Sequence, residues 1–308
     1  MLDVACQLAD GLASAHAAGI DRDPRSADAL REMGRAHQAL GRPEQAEQAF
    51  KTALGLRPSD WATHNYLGAV YLSKGRLAEA EAEFRRVVML TPDNPRGYTN
   101  LGAVCYQQGR LEEAEALFRR SAEIRPTAPA LSNLGTTLYY RSRYTEAAEA
   151  LEKAVKLNDR QVAVWMNLGR TLHESPARRP DARAPLERAV ALAGEQLRVN
   201  PRDAALLADL ADAHVMLGDA GKAGELSARA LKLAPEDSDV LRTVAEVDEA
   251  LGRREAALEK IARALAAGYP RWQIERSPSL AALRADPRFA EVLTGATPTP
   301  VEKEKKPQ

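Results

Sequence analysis

Aromatic side chains are scarce in this 308-residue chain, at 5% of positions, although 45% of residues are apolar. A buried surface with so few rings consists mainly of Ala, Leu and Val. Such a core suits thin, closely packed helices better than a thick globular interior. Charge imbalance is also absent: Lys plus Arg and Asp plus Glu each number 43, for a formal net charge of zero. Nucleic-acid binding rests on phosphate neutralisation, and with no long basic run there is no reason to expect it. Cys6 and Cys105 are the only cysteines, in separate segments, which excludes a disulfide framework and fits a reducing compartment. No stretch approaches the roughly 20 apolar residues of a membrane span. The first residues lack the basic start of a signal peptide, and Asp10 interrupts the apolar stretch that follows. The expectation is a cytoplasmic protein with no membrane partner.

Catalytic motifs are missing too. There is no Gly-x-Ser-x-Gly elbow and no phosphate-binding glycine loop. The five histidines show neither an i,i+4 metal pair with a carboxylate nor a cluster with cysteine. His37 and His214 share a repeat slot with Tyr71, and His64 shares one with Trp165, so packing is their expected role. The run Glu79-Ala80-Glu81-Ala82-Glu83 reads as a solvated helix face. No catalytic residue, no metal site and no cofactor is expected, and the chain reads as a non-enzyme.

What is present is periodicity. Gly34, Gly68, Gly102, Gly135 and Gly169 recur at steps of 34, 34, 33 and 34 residues. Ala211 and Ala245 continue the series after one step of 42. A second ladder runs beside it through Ala46, Ala80, Ala114, Ala147, Ala182, Ala223 and Ala257. A period near 34 means stacked helical hairpins, which build surfaces more readily than closed pockets. Within residues 61–92, Leu67, Gly68 and Tyr71 share one face of a first helix. Leu77, Ala80, Phe84, Val87 and Val88 stripe a second. Gly75 lies between the stripes as a left-handed terminator, and Pro92 prevents the second helix from continuing.

The spacing Leu-Gly, Tyr, Gly, Ala, Phe, Val and Pro resembles the tetratricopeptide repeat over about four fifths of the chain. Seven units follow, at 27–60, 61–94, 95–127, 128–161, 162–203, 204–237 and 238–271. Terminating prolines stand at Pro58, Pro92, Pro126 and Pro235, with Asp159 and Tyr269 as departures; Ser227 is a weak occupant of the large-residue slot. The fifth unit carries an insertion, His173 to Pro180, whose two prolines prevent continuous helix; its second helix is expected from Asp181 to about Val199. Residues 272–294 read as C-terminal capping helices, with Ser277-Pro278 and Asp286-Pro287 as N-cap and first-turn pairs. This segment also resembles the closing stretch of bacterial repeat regions attached to signalling domains. The tail, 295–308, holds three prolines and no core stripe, and is expected to be disordered.

The resemblance implies an all-α fold, a right-handed superhelical solenoid of about seven hairpins with terminal capping helices. It also implies a non-catalytic protein-interaction scaffold, in which the first helices line a concave groove for a peptide or partner protein. By register that groove takes Thr99, Tyr106 and Gln107 with Ala103, then Ser132, Thr136, Tyr139 and Tyr140, then Arg170 with Met166 and His173. Asn100, Asn133 and Asn167 occupy one equivalent slot in three successive units. An amide there can hold a peptide backbone, since it both donates and accepts, or it can bond the neighbouring helix. Groove charge is uneven: Asp28, Arg31 and Arg35 in the first unit, and Asp212, Asp239, Arg242, Glu246 and Glu249 in the last two. The Lys and Asn set with which some of these proteins clamp chaperone C-termini is missing from any three units, so chaperone C-termini are not expected partners.

The first 26 residues carry a second resemblance. Val4 to Ile20 is similar to the helix that leads into the catalytic loop of bacterial serine/threonine protein kinases. Asp21-Arg22-Asp23 follows where those kinases have His-Arg-Asp, and Arg25 and Asp28 stand where Lys and Asn are wanted. The phosphate-covering glycine loop, the phosphate-pairing Lys and the Mg²⁺-binding Asp are not in the 22 residues before Asp23. A kinase fragment, catalytically inactive as given, is the alternative reading, in which the repeats are the regulatory region of a truncated kinase. As a structural element, Val4, Leu8, Leu12 and Ala15 share a face that suits a capping helix.

Overall fold

The computed structural model of the chain describes residues 26–295, which divide into two compact units between Pro126 and Thr127. The kinase-like segment up to Arg25 and the tail from Ala296 onward lie outside the described residues. Among those residues the regular structure is helical throughout, with no strand.

The first unit is three helical hairpins: α1 (Ala27–Ala39) with α2 (Pro43–Leu56), α3 (Trp61–Ser73) with α4 (Leu77–Leu90), and α5 (Pro95–Gln107) with α6 (Leu111–Ile124). The second unit has four more: α7 (Ala128–Tyr140) with α8 (Tyr144–Leu157), α9 (Val162–Glu174) with α10 (Arg183–Val199), α11 (Ala204–Met216) with α12 (Ala220–Leu233), and α13 (Ser238–Ala250) with α14 (Arg254–Ala266). Two short helices, α15 (Arg271–Arg276) and α16 (Pro287–Leu293), close it.

The hairpins start and stop for local reasons. The side chains of Asp60, Asn94 and Thr127 each accept a backbone N–H in the first turn of the following helix. Asp203 and Asp237 do the same later in the chain, so six otherwise unpaired amide donors find acceptors, one of Asp237's oxygens taking two. Inside the hairpins, Gly75 turns the chain at φ 69, the left-handed conformation expected of it. In the α7–α8 hairpin the same position is Ser142, at φ 58, where an L side chain is strained.

The glycine ladder marks where a second helix comes too close for any side chain. A Cβ on Gly68 would lie 2.7 Å from Phe84 Cε1, and one on Gly169 would lie 2.5 Å from Leu186 Cδ2. The alanine ladder is buried at every rung, from Ala46 at 0% exposure to Ala182 at 4%. Small residues therefore set the helix spacing, and Phe50, Phe84, Phe118, Leu151 and Leu186 fill what remains.

Two recurring polar contacts escape a reading by residue identity. His64 Nε2, Tyr98 Oη and Trp165 Nε1 each reach the carbonyl oxygen six residues earlier, on Pro58, Pro92 and Asp159, at 2.9, 3.0 and 2.8 Å. The ring of one first helix thus ties down the turn before it. The acidic second-helix faces are also more than solvated. Arg76 donates to Glu47 at 2.7 Å and Arg110 donates to Glu81 at 2.6 Å, each bond joining one hairpin to the next.

Two expectations need correction. The second helix of the fifth unit begins as a 3-10 turn, Arg179–Ala182, and becomes α-helical only at Arg183. Pro180 at the start of that turn and Pro185 just inside the helix each lack a donor. At the C-terminus, Ser277-Pro278 opens a 3-10 turn, Pro278–Leu280, and a second follows at Leu283–Ala285. The Ser277 hydroxyl is drawn away to Glu246, so it caps nothing, whereas Asp286 caps α16 as expected. Ile274, Leu280, Leu283, Phe289 and Val292 are buried with Leu258 and Ile261 of α14 in one cluster.

Candidate interaction surface

In the first unit the candidate residues lie on α5. Thr99 turns toward its own hairpin partner: its hydroxyl lies 2.7 Å from Ser121 Oγ and donates to Pro95 O at 3.1 Å. Asn100 Nδ2 donates to Asn65 Oδ1 on the neighbouring first helix at 2.8 Å. Tyr106 is half-buried and Gln107 exposed in the last turn. The charges read into this surface from the first hairpin are engaged in bonds to the chain between α2 and α3. Arg31 donates to Asp60 at 2.8 Å, and Arg57 holds Asp28 through two 3.0 Å bonds. Arg35 pairs with Glu32 within α1 at 2.6 Å.

In the second unit the first helices lie side by side, and their shared face is polar. Asn167 Nδ2 donates to Thr136 Oγ1 at 3.2 Å, and Thr136 donates to Ser132 O at 3.0 Å. Asn133, half-buried between them in sequence, makes no side-chain hydrogen bond among the described residues. Met166 is buried at 2% exposure. Deeper along this face, Arg170 donates to Asp212 Oδ2 at 2.6 Å, joining α9 to α11. Arg242 donates to Glu246 Oε2 at 2.6 Å within α13. Both pairs are nearly enclosed, and Glu246 also accepts from Ser277 Oγ at 2.6 Å.

The aromatic residues gather here as well. Tyr139 is buried, with Tyr140 edge-on at 5.4 Å and Tyr144 at 5.8 Å between ring centroids. Tyr140 in turn meets Trp272 of α15 edge-on at 5.4 Å. Gln273 Oε1 accepts from Tyr269 Oη at 2.8 Å and, more weakly, from Tyr140 Oη at 3.5 Å. The Arg242 guanidinium stands 5.7 Å over the Tyr269 ring. The chain just after the last hairpin therefore comes back onto the first-helix face. Trp272 was not marked by the sequence; the cue was the run Tyr269-Pro-Arg-Trp-Gln273, aromatic in a chain where rings are rare.

Electrostatics follow from enclosure. Burial works against the charge on Arg170, but the carboxylates of Asp212 and Glu246 outweigh it and hold the guanidinium above its ordinary value. Burial raises the Tyr139 phenol well above the usual range and raises the carboxyls of Asp209 and Glu174. Asp209 makes no hydrogen bond or ion pair among the described residues. Tyr139 Oη and Arg242 Nε are buried donors without acceptors. Such a surface can hold hydrogen-bonding groups and rings. Cys105 is no activated nucleophile: it is enclosed in the first unit, and burial pushes its thiol up to about 11. Among the described residues no group of three or more His, Cys, Asp or Glu could hold a metal ion, and no helix is long and apolar enough to cross a membrane.

Two tetratricopeptide repeat family models match the chain, one over residues 31–95 and one over 93–160. No curated protein matches the sequence. Among solved structures, a tetratricopeptide repeat protein from Parabacteroides merdae aligns with a TM-score of 0.57 at 17% identity, covering 87% of this chain and 98% of that one. Pseudomonas aeruginosa pilF aligns at 0.55 and 22% identity, covering 71% and 97%. The APC/C hetero-tetramer Cut9–Hcn1 contains a chain that aligns at 0.62 and 17% identity, over 75% of this chain and 44% of that one. At these identities the likeness establishes the stacked-hairpin fold.

Proposed function

We propose that this chain, which carries tetratricopeptide repeats over residues 31–160, is an interaction scaffold whose first-helix faces hold a polypeptide partner. Repeats of this kind generally bind protein or peptide. The observation that carries the reading is the make-up of the first-helix face in the second unit. Arg170, Asp212, Arg242 and Glu246 are buried there in pairs. Well-packed apolar residues of similar volume would hold the stack as well or better. Stacking does not call for these groups, whereas recognition of amides and side chains does. No nucleic acid, cofactor or metal has a part in this reading.

The amide slot is divided in its roles. Asn100 and Asn167 spend their donors on neighbouring helices, whereas Asn133 keeps its amide for a partner's backbone. Selection of a displayed random-peptide library on the full chain tests the proposal. Recovered peptides are expected to bind Asn133→Ala about tenfold more weakly, the loss of one hydrogen bond near 1.4 kcal/mol. Equal binding would refute the role of Asn133. A library that yields no enriched peptide would refute the scaffold reading itself.

A further inference from the structure

Residues 269–277 do two separate things. One side of the segment is a cap: Ile274 is fully buried in the cluster that covers α14. The other side carries Trp272 and Gln273, whose partner is Tyr140 of α7, while Tyr269 and Ser277 reach Arg242 and Glu246 of α13 within the last hairpin. A cap for the last hairpin needs only the first side. The second side reaches a helix more than 130 residues earlier in the chain. It does so through a six-residue helix too short to persist alone, so contacts on both of its sides hold it in place.

The chemistry of the second side is that of a bound peptide. Trp272 lays an edge against Tyr140, and the Gln273 carboxamide oxygen sits between two tyrosine hydroxyls. The fit is incomplete. Tyr139 Oη and Arg242 Nε, both buried, find no acceptor. Asp209, half-buried, finds no donor among the described residues. An amide supplies both an acceptor and a donor, so a polypeptide could use groups that the resident segment leaves unused.

We propose that residues 269–277 are a built-in ligand for the first-helix face of the second unit, and that an external peptide bearing an aromatic residue beside a carboxamide gains this face by displacing Trp272 and Gln273. The proposal rests on the reading that this face receives polypeptide, and it adds that the face is self-occupied at rest. Occupancy is intramolecular, so even weak contacts compete at a high effective concentration against a partner in solution.

Two measurements on the full chain test it. Hydrogen exchange followed by mass spectrometry reads whether the face holds the segment. Exchange over 269–277 is expected to quicken about tenfold in Tyr140→Ala, with the amides of α14 unchanged. Unchanged exchange would overturn the proposal whatever the face binds. The second measurement is anisotropy of a fluorescein-labelled peptide, acetyl-Arg-Trp-Gln-Ile-amide. Trp272→Ala/Gln273→Ala is expected to bind it about tenfold more tightly than the natural chain, and the Ala-Ala version of the peptide is expected to show no such gain. Equal binding by the two chains reduces the segment to a cap and overturns self-occupancy, while leaving the library result untouched. If the double variant loses its helical signal, the single variant Gln273→Ala, which leaves the face itself unchanged, takes its place in the peptide measurement with the same direction required.

Discussion

Replacing Gly169 by Ala puts the origin of the repeat to a quantitative test. The added Cβ would lie 2.5 Å from Leu186 Cδ2 and 2.6 Å from its Cγ, with the Leu186 backbone nitrogen at 3.4 Å. Leu186 is 1% exposed and has no free space to retreat into. Relieving the overlap means moving a branched carbon and its helix, an overpacking cost of about 1–3 kcal/mol. Against this stands a gain of about 1 kcal/mol for Ala over Gly in a helix interior. The same hairpin holds its own control, because a Cβ on Gly194 of α10 meets nothing within 4 Å. Gly194→Ala should show the propensity gain alone. The difference between the two variants therefore isolates the contact, at about 1–3 kcal/mol in favour of Gly194→Ala. Urea unfolding of the full chain by circular dichroism, with slopes compared so that midpoints can be read as stability, is the assay. A double-mutant cycle sharpens it. Leu186→Ala alone should cost about 2–5 kcal/mol, and distinctly less in the Gly169→Ala background, where the new methyl fills part of the cavity. If Gly169→Ala stabilises as much as Gly194→Ala, close helix approach is not what keeps glycine at this position.

Other perturbations follow from the same contacts. Ser142→Gly relieves the left-handed serine of the α7–α8 turn and should raise stability by about 0.5–1 kcal/mol in urea; no gain would mean that the turn is unstrained. Asp212→Ala leaves the Arg170 guanidinium enclosed without its carboxylate and should cost about 3–5 kcal/mol, whereas Arg170→Met/Asp212→Leu should cost less than that single change. Both ring nitrogens of His64 face oxygens, Glu83 Oε2 at 2.5 Å and Pro58 O at 2.9 Å. Burial opposes the charged ring, but the bonds to Glu83 and Pro58 prevail and the folded pKa is raised. That stabilisation is complete below the unfolded value of about 6.5 and lost as pH rises through the folded one, so the melting-temperature gap between the natural chain and His64→Gln should shrink from pH 6 to 9; a constant gap would refute it.

The parts of this molecule that were legible in the sequence are those where one position per hairpin permits one kind of residue. Gly68 and Gly102 face rings that leave no room for a Cβ, so the constraint appears as the same letter at a fixed step. The tie to the preceding turn is just as regular in space, yet His64, Tyr98 and Trp165 supply it with three different rings. Only the donor chemistry and the six-residue offset repeat, so an identity ladder passes over them. Glu81 reads as solvated because its partner Arg110 lies 29 residues on, beyond the reach of any single-helix pattern. The return of Trp272 to Tyr140 is harder still. It depends on how four hairpins add their rotations, and no single repeat contains that sum. What the sequence did hold was the anomaly: five of the chain's fifteen aromatic residues fall at Tyr139, Tyr140, Tyr144, Tyr269 and Trp272. Rings that a small-residue core does not need are the local trace of a contact made at long range. In a stack built by alanine and glycine, the aromatic residues that the repeat pattern does not call for are therefore where to look for what the surface holds.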